Sequence, residues 1–368
     1  MDNQNSEEKK AHIFEIDFLR AVTVFSVVTI HTFSSCTYLL ANSKTGTKLI
    51  NLFVHSLHYN REIFIFVTGL VLTYVYYHRT FSTKKFLLRR FLLIFIPYAL
   101  WTLLYELYHN TLGNFWMDIL TGGASYQLYY ISLALEYYLL FPLILKFIRK
   151  AKKHLVLIIG ISFIVQLLFN YVDYAYFQTG TLSHLPLIKL YVAKFQKEFF
   201  MSYQFFFLFG AVVAVHINKV YRFMQKYGYF SPIIFGIALL LYALYFFHQL
   251  DIKEGTLRAM NVIQPSVLLY STVIIFVFSW LSILWAQKKR FFSIIKAISD
   301  VSFGIFFVHI MILDSLILYF VPQISSMTPV LGTIILVDLL TFTASVLFCL
   351  LLMRTRFLSW TIGRAIKR

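Results

Sequence analysis

The feature that most constrains this chain is a succession of apolar runs, each about 18 residues or longer, that recurs from residue 14 to residue 353. A helix that crosses a bilayer needs roughly 20 predominantly apolar residues. Only 13% of the 368 residues are charged, whereas a soluble domain carries about 25%. The pattern excludes a soluble globular enzyme and predicts an all-α, polytopic membrane protein.

The runs predict about ten membrane-spanning helices joined by short connections. No internal repeat or flexible linker divides them, so we expect one membrane domain at 14–353. A cytoplasmic N-terminal tail at 1–13 and a basic cytoplasmic C-terminal tail at 354–368 should flank it. The predicted spans are residues 14–40, 61–78, 86–108, 126–148, 154–173, 200–217, 229–248, 262–286, 299–321 and 329–353.

The basic residues predict the orientation of these helices. Of the 33 Lys and Arg residues, 24 fall in the two tails and in every second connection, 8 fall on the other side, and Arg20 lies within the first helix. Short cytoplasmic loops carry an excess of Lys and Arg, so both termini are predicted to be cytoplasmic. Because orientation accounts for the net charge of +17, we expect no nucleic-acid partner.

Two further features carry less information. Cys36 and Cys349 both lie in apolar runs and form no ligand motif, so no metal site and no permanently bound cofactor is predicted. The longest outer connection, residues 174–199, contains LPLIKLYVAKFQKEF, whose lysines interrupt apolar residues at helical spacing. It is either a helix that lies on the outer surface or a plain connecting loop.

Ionisable residues within the first helix are the first candidates for a site, because a charge at the centre of a membrane helix costs about 2.5–3.5 kcal/mol. Arg20 and His31 are eleven residues apart, which closes three helical turns and places them on one face, roughly 16 Å apart along the axis. Asp17 shares this face and can pair with Arg20. Alternatively, Arg20 extends to lipid phosphates and His31 is a hydrogen-bonded packing residue.

Two residues of other helices are predicted at the depth of His31. Glu136 lies about ten residues into the fourth span and His309 about ten into the ninth. Two imidazoles and a carboxylate at one depth indicate a polar chamber, although a structural polar cluster would share the pattern. Arg61 and Glu62 begin the second span at the outer surface, as a substrate contact or as an ion pair at the rim.

Asp300 is predicted to begin the ninth span at its cytoplasmic end. A carboxylate at that position caps the free N–H groups of a helix. We therefore expect a structural role for Asp300.

Five motifs, in order along nearly the whole chain, resemble the acyltransferase-3 family of integral membrane acyltransferases. DFLRAVTVFSVVTIH (17–31) is similar to the first helix of the family, in which ten residues separate an Arg from a His. The other four are REIFIFVTGLVL (61–72), KKFLLRRFLLIFIPY (84–98), YYISLALEYYLLFP (129–142) and SFGIFFVHIMIL (302–313). Two positions depart from the family pattern: Thr68 stands where Ser is usual, and Ile310 replaces the Pro that usually follows the late His.

The resemblance implies a membrane O-acyltransferase of a bacterial cytoplasmic membrane. Such an enzyme moves an acyl group from cytoplasmic acyl-coenzyme A to a hydroxyl of a cell-surface or lipid-linked glycan. Acetyl is the expected group and succinyl the alternative. The length and the lack of an appended domain suggest the stand-alone type, which includes proteins described as modifying or exporting poly-N-acetylglucosamine.

The resemblance also implies roles for the candidate residues. Arg20 would hold the phosphates of the donor, helped by Asp17, Arg89 and Arg90. His31 would act as the base for the acceptor hydroxyl or would carry the acyl group transiently.

On the other side of the transfer, Glu136 would orient His31 or act on the acceptor. His309 would stabilise the oxyanion or complete a relay. Arg61 and Glu62 would lie on the substrate side.

Three alternatives remain open. A polysaccharide exporter or flippase would also have about ten helices with polar groups at the midplane. A structural subunit of a glycan synthase would tolerate the loss of both Arg20 and His31. An acyltransferase of another membrane superfamily would depend on His309 alone. The sequence predicts no particular oligomeric state.

Overall fold

The computed structural model describes residues 12–40, 43–178, 180–251, 259–324, 329–355 and 358–364. These residues form helices and turns, and none of them belongs to a β-strand. The predicted all-α fold is therefore confirmed.

The helices are numbered here in chain order. The π-helical turn at Phe91–Phe95 lies within α4, and the one at Asp173–Gln178 ends α7. The helices are α1 (Phe14–Ser35), α2 (Lys44–Ser56), α3 (Asn60–Tyr76), α4 (Thr83–His109), α5 (Phe115–Thr121), α6 (Tyr129–Lys150), α7 (Leu155–Gln178), α8 (Pro186–Leu190), α9 (Gln204–Val215), α10 (Ile217–Tyr227), α11 (Ser231–Leu250), α12 (Pro265–Lys288), α13 (Phe292–Tyr319), α14 (Val321–Ile324) and α15 (Val330–Arg354).

Eight helical segments of the described chain are long and apolar enough to cross a membrane. They are α1, α4, α6, α7, the α10–α11 pair, α12, α13 with α14, and α15. Each coincides with a predicted span. The remaining two predicted spans form shorter helices, α3 with 17 residues and α9 with 12 residues.

The two shorter helices pack against each other along most of their length. A Cβ atom at Gly69 would overlap the carbonyl oxygen of Phe207, and one at Gly210 would overlap that of Phe66. Small residues allow two helix backbones to approach this closely. The α3–α9 pair therefore forms a tight core element, beside which the cavities described below open.

Helix α1 is the most buried of the long helices of the described chain, because 72% of its apolar stretch is buried inside the protein. It packs against α3, α12, α13 and α15. Several of its buried hydroxyls bond within the helix or to a neighbour, as when Thr29 donates to Asp338 Oδ2 on α15 at 3.0 Å. The central position of α1 places Arg20 and His31 in the interior of the helix bundle.

The described part of the predicted C-terminal tail folds back onto the helices. Ser359–Ile362 form a 3₁₀ turn, and Trp101 Nε1 of α4 donates to the carbonyl of Thr361 at 2.9 Å. Gly363 has φ +77° and lies against Phe303, a conformation that suits glycine. Most of the predicted N-terminal tail, residues 1–11, lies outside the described residues.

The long outer connection contains the helix that its spacing allowed. Helix α8 continues into a π-helical turn at Tyr191–Phe195. The buried Asp173 holds this segment in place, because it accepts hydrogen bonds from Tyr191 Oη at 2.8 Å, from Gln178 Nε2 at 2.5 Å and from Gln196. Asp173 is thus a structural carboxylate that anchors the loop.

Candidate functional site

A polar cavity of about 440 Å³ lies beside α1 and is termed the basic cavity. Its charged lining consists of four arginines and one aspartate. Helices α1, α3, α4, α6 and α13 and the C-terminal turn supply its walls. The charged residues are Arg20, Arg89, Arg90, Arg364 and Asp300.

Arg20 faces this cavity without a carboxylate partner among the described residues. Asp17, its predicted partner, is buried and instead accepts from Ser299 Oγ at 2.8 Å and from His12 Nε2 at 2.5 Å. Asp17 thereby ties α1 to α13. An unpaired guanidinium inside a helix bundle is costly, so the position favours an anionic ligand.

Arg89 and Arg90 reach the cavity from α4, on the same side as Arg20. The Arg90 guanidinium lies 4.8 Å from the ring centroid of Tyr138 and 5.1 Å from that of Phe86. These cation–π contacts fix its direction. The π-helical turn at Phe91–Phe95 follows at once, and such turns are frequent at functional sites.

The prediction that Asp300 caps a helix is wrong. Helix α13 begins at Phe292, two turns before Asp300. The carboxylate pairs instead with Lys296 at 2.5 Å and with Arg364 at 3.3 Å, and Arg364 also donates to the Asp300 carbonyl at 2.7 Å. The helix extends into the basic segment because this pairing neutralises the charge there.

At the other end of α1, His31 lies against His309 of α13. Their ring centroids are 5.3 Å apart. His309 is fully buried, and its Nδ1 donates to the Ile305 carbonyl at 2.9 Å. Because a carbonyl only accepts, a neutral His309 carries its proton on Nδ1 and has a lone pair on Nε2. That Nε2 has no hydrogen-bond partner among the described residues.

A small cavity of about 60 Å³ opens beside His31 and is termed the histidine pocket. It is enclosed by residues of α1, α3, α6 and α13 and by the connections before α3 and α6. Its polar lining residues are His31, His58, Asn60, Arg61, Gln127, Tyr129 and Tyr130.

Arg61 and Glu62 form the ion pair that was one of the two alternatives, but the pair is buried and not exposed at a rim. Their side chains are 8% and 3% exposed and lie 3.3 Å apart. Arg61 also donates to Tyr203 Oη at 3.0 Å and to the Val262 carbonyl at 3.2 Å. The cation of the histidine pocket is therefore compensated by the protein itself, unlike Arg20.

Three aromatic rings separate the two cavities and are termed the aromatic partition. Phe64, Tyr130 and Phe306 line both the basic cavity and the histidine pocket. The ring centroids of Phe64 and Tyr130 are 5.5 Å apart, and those of Tyr130 and Phe306 are 5.3 Å apart. Arg20 and His31 lie on opposite sides of this partition.

A family model described as an acyltransferase domain matches residues 13–354 of the chain. The chain belongs to the acyltransferase-3 family. Together with its apolar helices, this membership identifies a multi-pass membrane protein.

Relatives of this acyltransferase-3 protein occur in staphylococci. It is 24% identical over 312 residues, 83% of each chain, to a Staphylococcus aureus protein named "Probable poly-beta-1,6-N-acetyl-D-glucosamine export protein". It is 25% identical over 320 residues, 84% of each chain, to a Staphylococcus epidermidis protein of the same name. No solved structure matches the chain.

Glu136 does not join the histidines of this acyltransferase-3 protein. Its Oε2 accepts from the Phe200 amide at 2.9 Å, and it lines neither cavity. Tyr130 and Glu136 are six residues apart on α6, a rotation of about 240° that turns them to different faces. The depth of a residue along a helix does not specify the face on which it lies, so depth alone could not separate Glu136 from the histidines.

Sequence reasoning also missed residues that lie in loops or in the C-terminal turn. His58 lies in the connection before α3, Asn60 is the first residue of α3, and Gln127 lies in the connection before α6. Arg364 lies beyond the last apolar run. The sequence pattern assigns Arg364 to the basic cytoplasmic side of the protein. It does not indicate which residues Arg364 contacts.

Proposed function

We propose that the protein is a membrane O-acyltransferase that moves an acyl group from cytoplasmic acyl-coenzyme A to a hydroxyl of a cell-surface or lipid-linked glycan. Acetyl is the expected group, and succinyl is the alternative. The observation that carries the proposal is the position of the unpaired Arg20 in a cavity that meets the histidine pair only across the aromatic partition.

The basic cavity suits the phosphates of coenzyme A. Guanidinium groups bind phosphate oxygens through paired N–H donors. Arg20, Arg89 and Arg90 converge on a cavity whose one lining carboxylate, Asp300, is already paired with Lys296 and Arg364. The donor therefore meets cations that have charge left to share. In the predicted orientation, with both termini cytoplasmic, this cavity faces the compartment that makes acyl-coenzyme A.

The thioester must pass the aromatic partition to react. Arg20 and His31 are separated by three helical turns, roughly 16 Å along α1. The three rings are in contact but are not covalently linked, so they must move apart to let a thin pantetheine arm through. Small rotations of Phe64, Tyr130 and Phe306 then admit the acyl group to His31, while the phosphates stay among the arginines.

His31 is the residue we assign to proton transfer. The acceptor oxygen attacks the thioester carbonyl carbon as its proton moves to a ring nitrogen of His31. The C–S bond breaks, and the coenzyme leaves as a thiolate that takes up that proton. When His31 donates its other N–H to Nε2 of His309, the lone pair of His31 is directed at the acceptor. Transient acylation of His31 is the alternative route.

The names of the relatives support a polysaccharide partner and keep a second function in view. Their printed names describe export of poly-beta-1,6-N-acetyl-D-glucosamine. An exporter or flippase needs a passage for a sugar chain. The histidine pocket, at about 60 Å³, and the aromatic partition favour the passage of one group over that of a chain.

The test follows label from radiolabelled acetyl-coenzyme A into the membrane and cell-wall glycan fractions. We expect label with wild-type protein and none with His31→Ala at matched expression. His154→Ala is the matched control, because His154 lies at the start of α7 and lines neither cavity.

Undiminished label with a folded His31→Ala protein would overturn the assignment of His31. No label in wild type, with succinyl-coenzyme A also silent, would place the exporter function first.

A further inference from the structure

The histidine pocket contains an amide without a partner. Asn60 is 3% exposed and lines the pocket, and neither Nδ2 nor Oδ1 has a hydrogen-bond partner among the described residues. A buried polar group left unpaired costs about 1–3 kcal/mol. A side chain that keeps both a donor and an acceptor free at this cost is suited to a ligand that offers both.

The other polar groups of the pocket are neutral or compensated. His58, in the connection between α2 and α3, donates through Nδ1 to the Val54 carbonyl at 2.8 Å. Burial, and next the charge of Arg61, lowers the pKa of His58 to about 3, so this imidazole is uncharged and its Nε2 is an acceptor. Arg61 is paired with Glu62. No carboxylate lines the pocket.

The pocket also lies close to the protein surface. The ring centroid of Tyr126 is 4.8 Å from that of His31, and Tyr126 is 50% exposed. One aromatic side chain therefore separates His31 from the exterior. The volume of about 60 Å³ has room for a hydroxyl group and the carbon next to it, not for a complete sugar.

We propose that Asn60 and His58 form an acceptor subsite that binds an uncharged sugar through the hydroxyl or amide group adjacent to the hydroxyl that reacts at His31. Asn60 donates to one oxygen and accepts from its O–H or from an N–H, and His58 Nε2 accepts a second O–H. The proposal rests on the proposed acyl transfer and adds the class of acceptor. Charged sugars are disfavoured, because Glu62 already compensates the charge of Arg61 that an anion would need, and no carboxylate among the described lining residues would neutralise a cation.

The test uses one oligosaccharide backbone in three charge states. The probes are a β-1,6-linked N-acetylglucosamine pentamer, chosen from the names of the relatives, its de-N-acetylated cationic form and its O-sulfated anionic form. Thermal stabilisation of the detergent-solubilised full chain reports binding without acyl-coenzyme A, because a ligand that binds only the folded state raises its stability. Label transfer reports KM for the acceptor and for the donor.

We expect the neutral pentamer to stabilise wild type and to be the preferred acceptor, by about tenfold, the factor that corresponds to one neutral hydrogen bond. Asn60→Ala should lose this stabilisation and raise the acceptor KM by about tenfold. Its donor KM should not change. Asn51→Ala, on α2 and away from the pocket, is the matched control.

The outcomes separate the subsite from the proposed function. Stabilisation that depends on Asn60 without label transfer would support the subsite and overturn the acyltransferase. Label transfer with an unchanged acceptor KM in Asn60→Ala would do the reverse. Equal binding of the sulfated and neutral pentamers, or no binding of the neutral one, would overturn the subsite.

Discussion

The basic cavity and the histidine pocket lie along the same helix but treat charge in opposite ways. In the first, Arg20 has no carboxylate within ion-pair distance among the described residues. In the second, Arg61 has Glu62, Tyr203 and a carbonyl as partners. Both guanidinium groups are enclosed by apolar helices. The comparison distinguishes a cation that is completed by the fold from one that is left for a ligand.

The polar atoms of the two cavities differ in the same sense. The basic cavity is large and offers the N–H donors of its arginines, whereas the histidine pocket is small and offers the unpaired amide of Asn60. These two environments match the proposed phosphate-bearing donor and the proposed uncharged acceptor. One helix can support both because eleven residues return to the same face.

The largest effect should come from the histidine pair. We expect His309→Ala to lower kcat by roughly 10²–10⁴-fold, the usual contribution of proton transfer, with the donor KM unchanged. Glu136→Gln is the matched control, since Glu136 has a similar predicted depth but contacts Phe200. Steady-state transfer from acetyl-coenzyme A at varied donor concentration gives both constants. An active His309→Ala protein would leave His31 to act alone.

The two arginines should respond differently to the same substitution. Arg20→Gln should weaken acyl-coenzyme A binding by about 10–100-fold, because hydrogen bonds to a charged group contribute about 1.5–3 kcal/mol, and should leave the fold intact. Arg61→Gln leaves the buried Glu62 carboxylate without its ion-pair partner and should lower the free energy of unfolding by about 3–5 kcal/mol. Donor titration and thermal unfolding separate the two outcomes. If Arg20→Gln also destabilises the protein, Arg20 has a structural role like that of Arg61, and the two cavities do not differ in this respect.

The aromatic partition should govern loss of the donor to water. Phe306→Leu opens a gap between the cavities, so hydrolysis of acetyl-coenzyme A without an acceptor should rise several-fold. Phe303→Leu is the control on the same helix, because Phe303 lines the basic cavity alone. Release of free thiol measures the rate. Equal rates in the two variants would show that the rings do not separate water from thioester.

The smallest effect concerns the loop before α9. Burial, with a smaller contribution from the Glu136 carboxylate, raises the pKa of Glu198 to about 7. A carboxyl with a raised pKa in the folded state stabilises most below its ordinary value, and this stabilisation is lost as the pH rises from about 4.5 through 7. Glu198→Gln removes the buried charge. It should therefore raise the melting temperature by a few degrees more at pH 8 than at pH 5. If the melting temperatures of wild type and Glu198→Gln differ by the same amount at both pH values, this prediction is wrong.

Hydropathy and helical spacing predicted much of this arrangement. Apolar runs located the long helices, because a bilayer requires a fixed length of apolar chain. The spacing of Arg20 and His31 put both on one face of α1, and depth brought His309 to His31. These are one-dimensional properties, and the sequence contains them directly.

The errors arose where rotation and long-range packing decide. Glu136 has a similar predicted depth but another face of α6, and Arg61 is buried because other elements cover it. Asn60 is the first residue of α3, outside the predicted span, and Arg364 reaches the basic cavity only because the chain reverses after α15. No local sequence pattern specifies how a helix is rotated about its axis relative to its neighbours. Nor does it specify where a terminal turn packs.

The aromatic partition also matters to the cell as a whole. Two polar cavities approach each other from opposite ends of α1, and a continuous file of water between them would let protons run down their gradient past Arg20 and His31. Phe64, Tyr130 and Phe306 interrupt that file. In the proposed acyl transfer, the rings would have to close around the pantetheine arm as they part, so that an acyl group enters without opening a path for protons.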